Sequence, residues 1–268
     1  MIYNTNSQEN EFLIKPIGFV SSSKKYRYET SRQGVLETDE LSHIKLLAGN
    51  NFEQALTGIE GFERLWIVFG FHLNPNWKPM VTPPRHTRKK VGIFATRSPH
   101  RPNQLGISCV KLIAVEGLQI TIAESDILDG SPVFDIKPYL PYSDSFPGVA
   151  TGWVNPNSEL PIPVLFSEKA TTQTEWLQNT GSINLKSYAK LQLEFAPNDV
   201  KRKRIEQVSA SRFILAYRTW RVHYSIQPDA SVLIDEIKSG YSFEELNSAL
   251  SDKYGDKELH RAFLELFG

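Results

Sequence analysis

The sequence predicts a mainly β protein, with a small antiparallel β-barrel as N-terminal domain (residues 1–155) and a smaller α+β C-terminal domain (residues 165–268). Three observations predict it. Up to Trp153 the chain is a succession of β-prone runs joined by turns, with little helical spacing between them, the pattern of an antiparallel barrel or sandwich. After PNSELPIPV, a linker by its prolines, helical spacing takes over. The 268 residues, 40% of them hydrophobic, suffice for one large core or two small ones.

Taken in order, FLIKPIGFV reads as a first strand, with Pro16 suited to an edge or a strand start, and SSSKKYRYETSRQG as a loop. Ser42 to Leu56 has partial helical spacing that GIEGF ends. Leu65 to Leu73, within RLWIVFGFHL, is strongly β-prone and leads into the proline- and arginine-rich loop WKPMVTPPRHTRKK. VGIFAT and ISCVKLIAV read as two further strands, the second pairing with EGLQITIAESDIL through a Glu-Gly turn. DGSPVFDIKPYLPYSDSFPG carries too much Pro and Gly for a helix. In the second domain SEKATTQTEWLQNT and LKSYAKLQLEF have helical spacing, and KRKRIEQVSASRF reads as its continuation. FILAYRTWRVHYSI with VLIDEIKS reads as a hairpin, and Ser242 with Glu245 forms a capping box that starts a last helix.

Lys and Arg together number 30 and so do Asp and Glu, so an anionic partner must be met by a local patch rather than by bulk charge. The single cysteine, Cys109, excludes an intramolecular disulfide, fits a reducing cytosol, and reads as a small buried hydrophobe. No run approaches the ~20 apolar residues of a membrane helix. The start MIYNTNSQENE lacks the regions of a signal peptide, and a cytoplasmic protein is expected. The six histidines have no zinc-ligand spacing, so no metal is expected. Neither the phosphate-loop and dinucleotide glycine motifs nor a nucleophile elbow is present.

Function therefore falls to the loops. SRQ (residues 31–33), GFHLNP (70–75), RSPHRPNQLG (97–106) and SDILDGSPVFDIKPY (125–139) follow strands, and loops at one end of a barrel can converge on one pocket. The prolines of RSPHRPN preorganise Arg97 and Arg101, whose guanidinium groups suit a carboxylate or a phosphate. The same arginines would equally serve a stiff loop by pairing with Asp126, Asp129 or Asp135. Those carboxylates could accept from a ribose or an amino group or remove a proton, or bond their own backbone in a turn. Lys137 and Tyr139 share the parity of Asp135. His72, at the end of an apolar run, reads as either a core histidine or a functional one. Two basic runs, Arg85 to Lys90 and Lys201 to Arg204, suit phosphate contacts where they are not simply solvated faces. Trp77, Tyr139, Tyr142 and Trp153 offer stacking surfaces for single-stranded or loop RNA.

GIFATRSPHRPNQLGISCVKL together with DILDGSPVFDIKPYLPYSDS resembles the TrmO family, also called TsaA or YaeB-like. The resemblance runs from Phe12 to Trp153; beyond it LAYRTWRVHYSI is the most similar strip. It implies a β-barrel tRNA methyltransferase that uses S-adenosyl-L-methionine, acts as a homodimer, and methylates N6 of threonylcarbamoyladenosine beside the anticodon. The cofactor contacts it implies are Ser31, Arg32, Gln33, His72, Leu73, Arg97, Ile107, Asp126, Ile127, Leu128 and Asp129. Asp135 is the expected general base. Arg85, Arg88, Arg101, Lys137, Tyr139, Lys201, Arg202, Lys203 and Arg204 are the expected contacts to tRNA, the last four from a second domain that grips the anticodon arm. The family usually has proline where this chain has Ser31 and Gln104. Two other readings stay open: a non-catalytic RNA-binding barrel, and a methyltransferase with another acceptor.

Overall fold

Short strands with one apolar face each must close on themselves or pack on something else. In this chain they close. The computed structural model describes residues 12–30, 40–83, 89–154, 160–248 and 252–268, and the chain divides into two units, Met1–Pro156 and Asn157–Gly268. The first contains β1 (Gly18–Ser21), β2 (Ser42–Leu46), the one-turn α1 (Phe52–Ala55), β3 (Arg64–Gly70), β4 (Met80–Val81), β5 (Val91–Gly92), β6 (Leu105–Glu116), β7 (Gln119–Ala123), β8 (Pro132–Pro138) and the short α2 (Pro141–Asp144). Six of these strands form a closed barrel in the order β1-β2-β7-β6-β3-β8, while β4 and β5 make a separate two-stranded ribbon. Every barrel pairing is antiparallel, and β8 closes on β1 with Gly18 opposite Val133.

Period-two alternation fills the barrel. Leu65, Ile67 and Phe69 of β3 point in, as do Val110 of β6, Ile120 and Ile122 of β7, and Ile44 of β2, all nearly or fully buried. Gly106 of β6 is a glycine because a Cβ there would stand 2.6 Å from the Phe69 ring. Two bulges break the alternation, one in β6 between Leu112 and Ala114 and one in β8 opposite Val68 and Phe69. The second matters for the site: Val133 faces inward opposite Phe69, Phe134 is the extra residue, and Asp135 opposite Val68 turns outward.

The structure corrects three local readings. Ser42 to Leu46, expected to start a helix, is a strand, because Ser42 and Ile44 alternate into the core between β1 and β7. Only Phe52–Ala55 of that segment is helical. VGIFAT is a two-residue strand followed by a 3-10 turn, Ile93–Ala95.

The second unit holds β9 (Val164–Phe166), α3 (Glu168–Gly181), α4 (Leu185–Leu193), β10 (Ile205–Gln207), β11 (Arg212–Tyr217), β12 (Trp220–Ile226), β13 (Val232–Ser239), α5 (Phe243–Asn247) and α6 (Lys257–Phe267). Its sheet runs β10-β11-β12-β13-β9, antiparallel except for the β13–β9 pair. Ser167 caps α3 by accepting from Ala170 N, and the Ser242/Glu245 capping box at α5 is formed. The third correction falls here: KRKRI does not continue a helix but turns into β10, whose Ile205 is buried opposite Leu215. No helix among the described residues is long and apolar enough to cross a membrane.

Candidate active site

Antiparallel order decides which loops meet. The C-terminal ends of β1, β3 and β7 and the N-terminal ends of β2, β6 and β8 lie at the same end of the barrel. The described part of the segment after β1 (residues 22–30), the connection from β3 to β6 and that from β7 to β8 therefore emerge together, whereas residues 132–138 of the segment expected as a fourth loop are strand β8, which carries Tyr139 to the opposite end of the barrel beside Arg64. The connection β2 to β3 and the β6–β7 turn lie at the opposite end.

The β7–β8 turn is built on the core. Ser125 and Ile127 are fully buried, whereas Asp126 and Leu128 are partly exposed. Asp126 accepts from the hydroxyl of Ser108, an inward-facing residue of β6. Asp129 Oδ1 accepts from Ser22 N at 2.9 Å, and Asp129 N donates to Lys24 O at 2.8 Å. Both carboxylates are thus held by distant parts of the chain rather than by their own turn. Ile127, an expected cofactor contact, has its side chain in the barrel core, which leaves its backbone to the site.

His72 and Leu73 follow β3, and both are exposed. The core reading of His72 falls: its Nδ1 lies 3.2 Å from Ser131 Oγ at the start of β8, and its Nε2 lies 3.8 Å from the point where a Cβ on Gly130 would stand. Ile107, 54% exposed, is on the outer wall of β6 opposite Val68.

The loop from Thr96 to Gln104 divides its two arginines. Arg101 Nη1 donates to Thr96 O at 2.7 Å, and the guanidinium lies 5.9 Å from the Phe94 ring centroid, so this arginine braces its own loop. Arg97 is exposed and makes no hydrogen bond or ion pair among the described residues. Neither arginine pairs with Asp126, Asp129 or Asp135 there. Gln104, where the family has proline, has φ 52 and donates its N–H to Arg101 O at 3.3 Å, closing a turn with Pro102 at its second position.

Asp135, Lys137 and Tyr139 do share a face, the outer wall of β8. Lys137 Nζ is 2.8 Å from Asp135 Oδ2, Asp135 Oδ1 accepts from Ile136 N at 2.9 Å, and the Tyr139 ring sits 5.8 Å from Trp66 of β3. Trp66 in turn donates to Asp144 Oδ2 at 2.9 Å; the Leu140 N–H first, and Trp66 after it, hold that carboxyl below its ordinary range. Cys109, on the same outer wall, is half-buried; burial pushes its thiol up despite the nearby Arg64 guanidinium.

In the second unit the basic run is less free than its composition suggests. Lys203 Nζ donates to the carbonyls of Gln192 and Phe195 at the end of α4. Arg202 Nε is 2.6 Å from Asp199 Oδ2. Burial raises the Asp199 carboxyl, and Arg202 pulls it further down than burial lifts it. Lys201 and Arg204 are exposed. Ser31, Arg32, Gln33, Arg85 and Arg88 lie outside the described residues. Among the described residues no group of three or more His, Cys, Asp or Glu could hold a metal ion.

Sequence reasoning missed Ser22, Lys24, Ser108 and Ser131, each of which holds a site loop in place. Small polar residues and a lysine in a polar stretch carry no spacing signal.

Residues 19–145 match the family model described as the tRNA-methyltransferase O N-terminal domain. The tRNA (adenine(37)-N6)-methyltransferase of Escherichia coli (strain K12) is 34% identical over 171 residues, 61% of this chain and 73% of that protein. The protein of the same name from Eikenella corrodens is 32% identical over 178 residues, 64% of this chain and 95% of that one. The mouse protein of that name is 40% identical over 142 residues, and this chain spans 33% of its length. Among solved structures, TrmO from Pseudomonas aeruginosa superposes with a TM-score of 0.63 at 26% identity, covering 85% of this chain and 99% of that one. By barrel, loops and sequence, this chain belongs to the TrmO family.

Proposed function

We propose that this chain is an S-adenosylmethionine-dependent tRNA methyltransferase whose acceptor is N6 of threonylcarbamoyladenosine beside the anticodon. The observation that carries the reading is the gathering, at one end of the barrel, of pinned carboxylates (Asp126, Asp129) and an exposed arginine without a protein partner among the described residues (Arg97). That donor set fits the cofactor: the carboxylates suit its ribose hydroxyls and ammonium group, and Arg97 suits its carboxylate. His72, Leu73, Ile107 and the backbone of Ile127 and Leu128 complete the site, with Ser31, Arg32 and Gln33 assigned by resemblance. When bound, the cofactor supplies a methyl group on a sulfonium, open to in-line displacement.

The chain's own residues then position the acceptor and take its proton. The acceptor nitrogen is part of a ureido group, so its lone pair is delocalised and loss of its proton makes it nucleophilic. Asp135 takes that proton, but in the free protein its Oδ2 is engaged by Lys137. The substrate's own carboxylate competes for Lys137, whose side chain is 65% exposed and able to swing, and so frees Asp135 when the correct base is present. Tyr139 and Trp66 continue the same wall toward the opposite end of the barrel and offer stacking surfaces for bases flanking the acceptor. The second unit contacts the anticodon arm through Lys201 and Arg204, with Arg202 and Lys203 shaping that loop, and the enzyme works as a homodimer in the cytoplasm.

Purified protein incubated with labelled S-adenosylmethionine should methylate tRNA carrying threonylcarbamoyladenosine and leave unmodified tRNA unlabelled, with the product nucleoside identified by mass spectrometry. In the same assay Asp135→Asn should lower kcat by about 100-fold or more, the size of a general-base contribution, without changing cofactor affinity. Binding of tRNA with no methyl gain would favour the non-catalytic barrel, and equal labelling of both tRNAs would move the acceptor elsewhere.

A further inference from the structure

A lysine with 4% of its surface exposed needs a reason, because burying an ammonium is costly unless it is hydrogen-bonded. Lys24, in the polar stretch after β1, donates from Nζ to Ser125 O at 2.7 Å across 101 residues of chain. The β1–β8 ladder continues beyond the strands: Val20 N donates to Ser131 O at 3.0 Å, Gly130 N to Val20 O at 2.8 Å and Asp129 N to Lys24 O at 2.8 Å. Among the described residues the two backbones exchange no further hydrogen bonds past Asp129, and the Lys24 side chain reaches on to the start of the turn. Ser125 is held from that side by Lys24, and its neighbour Asp126 from the other by Ser108. Ile127 between them is sunk in the barrel core.

We infer that Lys24 is a positioning residue for the cofactor turn, fixing residues 125–129 so that Asp126 and the turn backbone meet the cofactor in one geometry. The inference rests on the reading of this turn as part of the cofactor site. Lys24 acts on the turn through Ser125, whose carbonyl accepts from its ammonium. Loss of its donor leaves the turn free to sample other arrangements, which lowers cofactor affinity in proportion to the population lost but leaves the chemistry of a correctly loaded enzyme intact.

The test uses the full chain. Calorimetric titration with S-adenosylmethionine is combined with initial rates in which cofactor and modified tRNA are varied separately, for wild type, Lys24→Met and Lys24→Arg. Lys24→Met should raise the cofactor Kd and KM by about tenfold, equivalent to ~1.4 kcal/mol. It should leave kcat at saturating cofactor and the KM for tRNA within about twofold, while Lys24→Arg, which keeps a charged donor, recovers most of the affinity. A merely structural lysine would instead reduce the active fraction, so kcat would fall with the cofactor KM unchanged; that pattern, or an unchanged Kd in Lys24→Met, overturns the inference alone. Wild type that fails to bind S-adenosylmethionine overturns the site reading and the inference with it. Should Lys24→Met not fold, Lys24→Gln takes its place, since its shorter amide removes the charged donor from Ser125 O while staying polar.

Discussion

Gln104 occupies the left-handed region at φ 52 while donating its N–H to Arg101 O and lending its own carbonyl to Phe71 N at 2.8 Å. A proline, the residue the family usually carries here, cannot reach a positive φ and has no N–H to donate. Gln104→Pro should therefore lower stability by about 3 kcal/mol unless the loop adopts a different turn, and Gln104→Gly should raise it by up to ~1 kcal/mol. Urea denaturation of both variants checks this; a proline variant as stable as wild type, with the loop backbone unchanged, would contradict it. The loop's rigidity in this chain comes less from proline than from hydrogen bonds, above all those of Arg101 to Thr96 O and Ile93 O. Two arginines four residues apart look equivalent in sequence, yet one is a brace and the other is presented.

At the scale of elements, the β7–β8 turn is an extension of the barrel core rather than a flexible surface loop. Ile127 is fully buried and packs with the barrel's apolar cluster. Truncating it leaves a cavity under the turn, so Ile127→Ala should cost about 2–5 kcal/mol of stability and weaken S-adenosylmethionine binding together with it. Denaturant titration and calorimetry on the same sample check both; a loss of binding without a loss of stability would separate the turn from the core. The β8 bulge belongs to this scale too. Plain alternation would put Asp135 on the same face as Val133, inside the barrel, and the extra residue Phe134 brings it out beside Lys137. Parity alone carried the relation among Asp135, Lys137 and Tyr139, all beyond the bulge, but not which face they occupy.

On the scale of the whole molecule, a net charge of zero leaves electrostatic stabilisation to local ion pairs such as those of Glu236 with Lys169 and Lys238. Glu236 on β13 is held at about 2, first by the hydrogen bond from Lys169, then by that from Lys238, against the opposing effect of burial. Its folded value lies below the ordinary 4.5, so the stability it contributes is present above about pH 4.5 and is lost as the pH falls through about 2. In thermal melts of the full chain, the Tm advantage of wild type over Glu236→Gln should persist above that window and close within it. A gap that does not change with pH would mean that the two lysines contribute nothing specific to the carboxylate.

The sequence by itself determined what depends on neighbours along the chain: the alternating strands, the capped helices, the Glu-Gly turn, the change of class after the barrel and the loops that resemble one family. It misjudged Ser42–Leu46 and KRKRI, where helical spacing over a few residues is weak and sheet pairing overrode it. The sequence proposed the candidate site residues from chemistry written in the loops, but not how those residues are engaged. Only the tertiary structure decided that the loops share one end of the barrel, that Ser22 and Lys24 hold a turn more than a hundred residues away, and that Lys203 caps a helix instead of facing solvent. The physical reason is that spacing specifies which way a side chain points within its own element, while the partner it meets is set by barrel closure and register, which bring together residues that no local pattern connects.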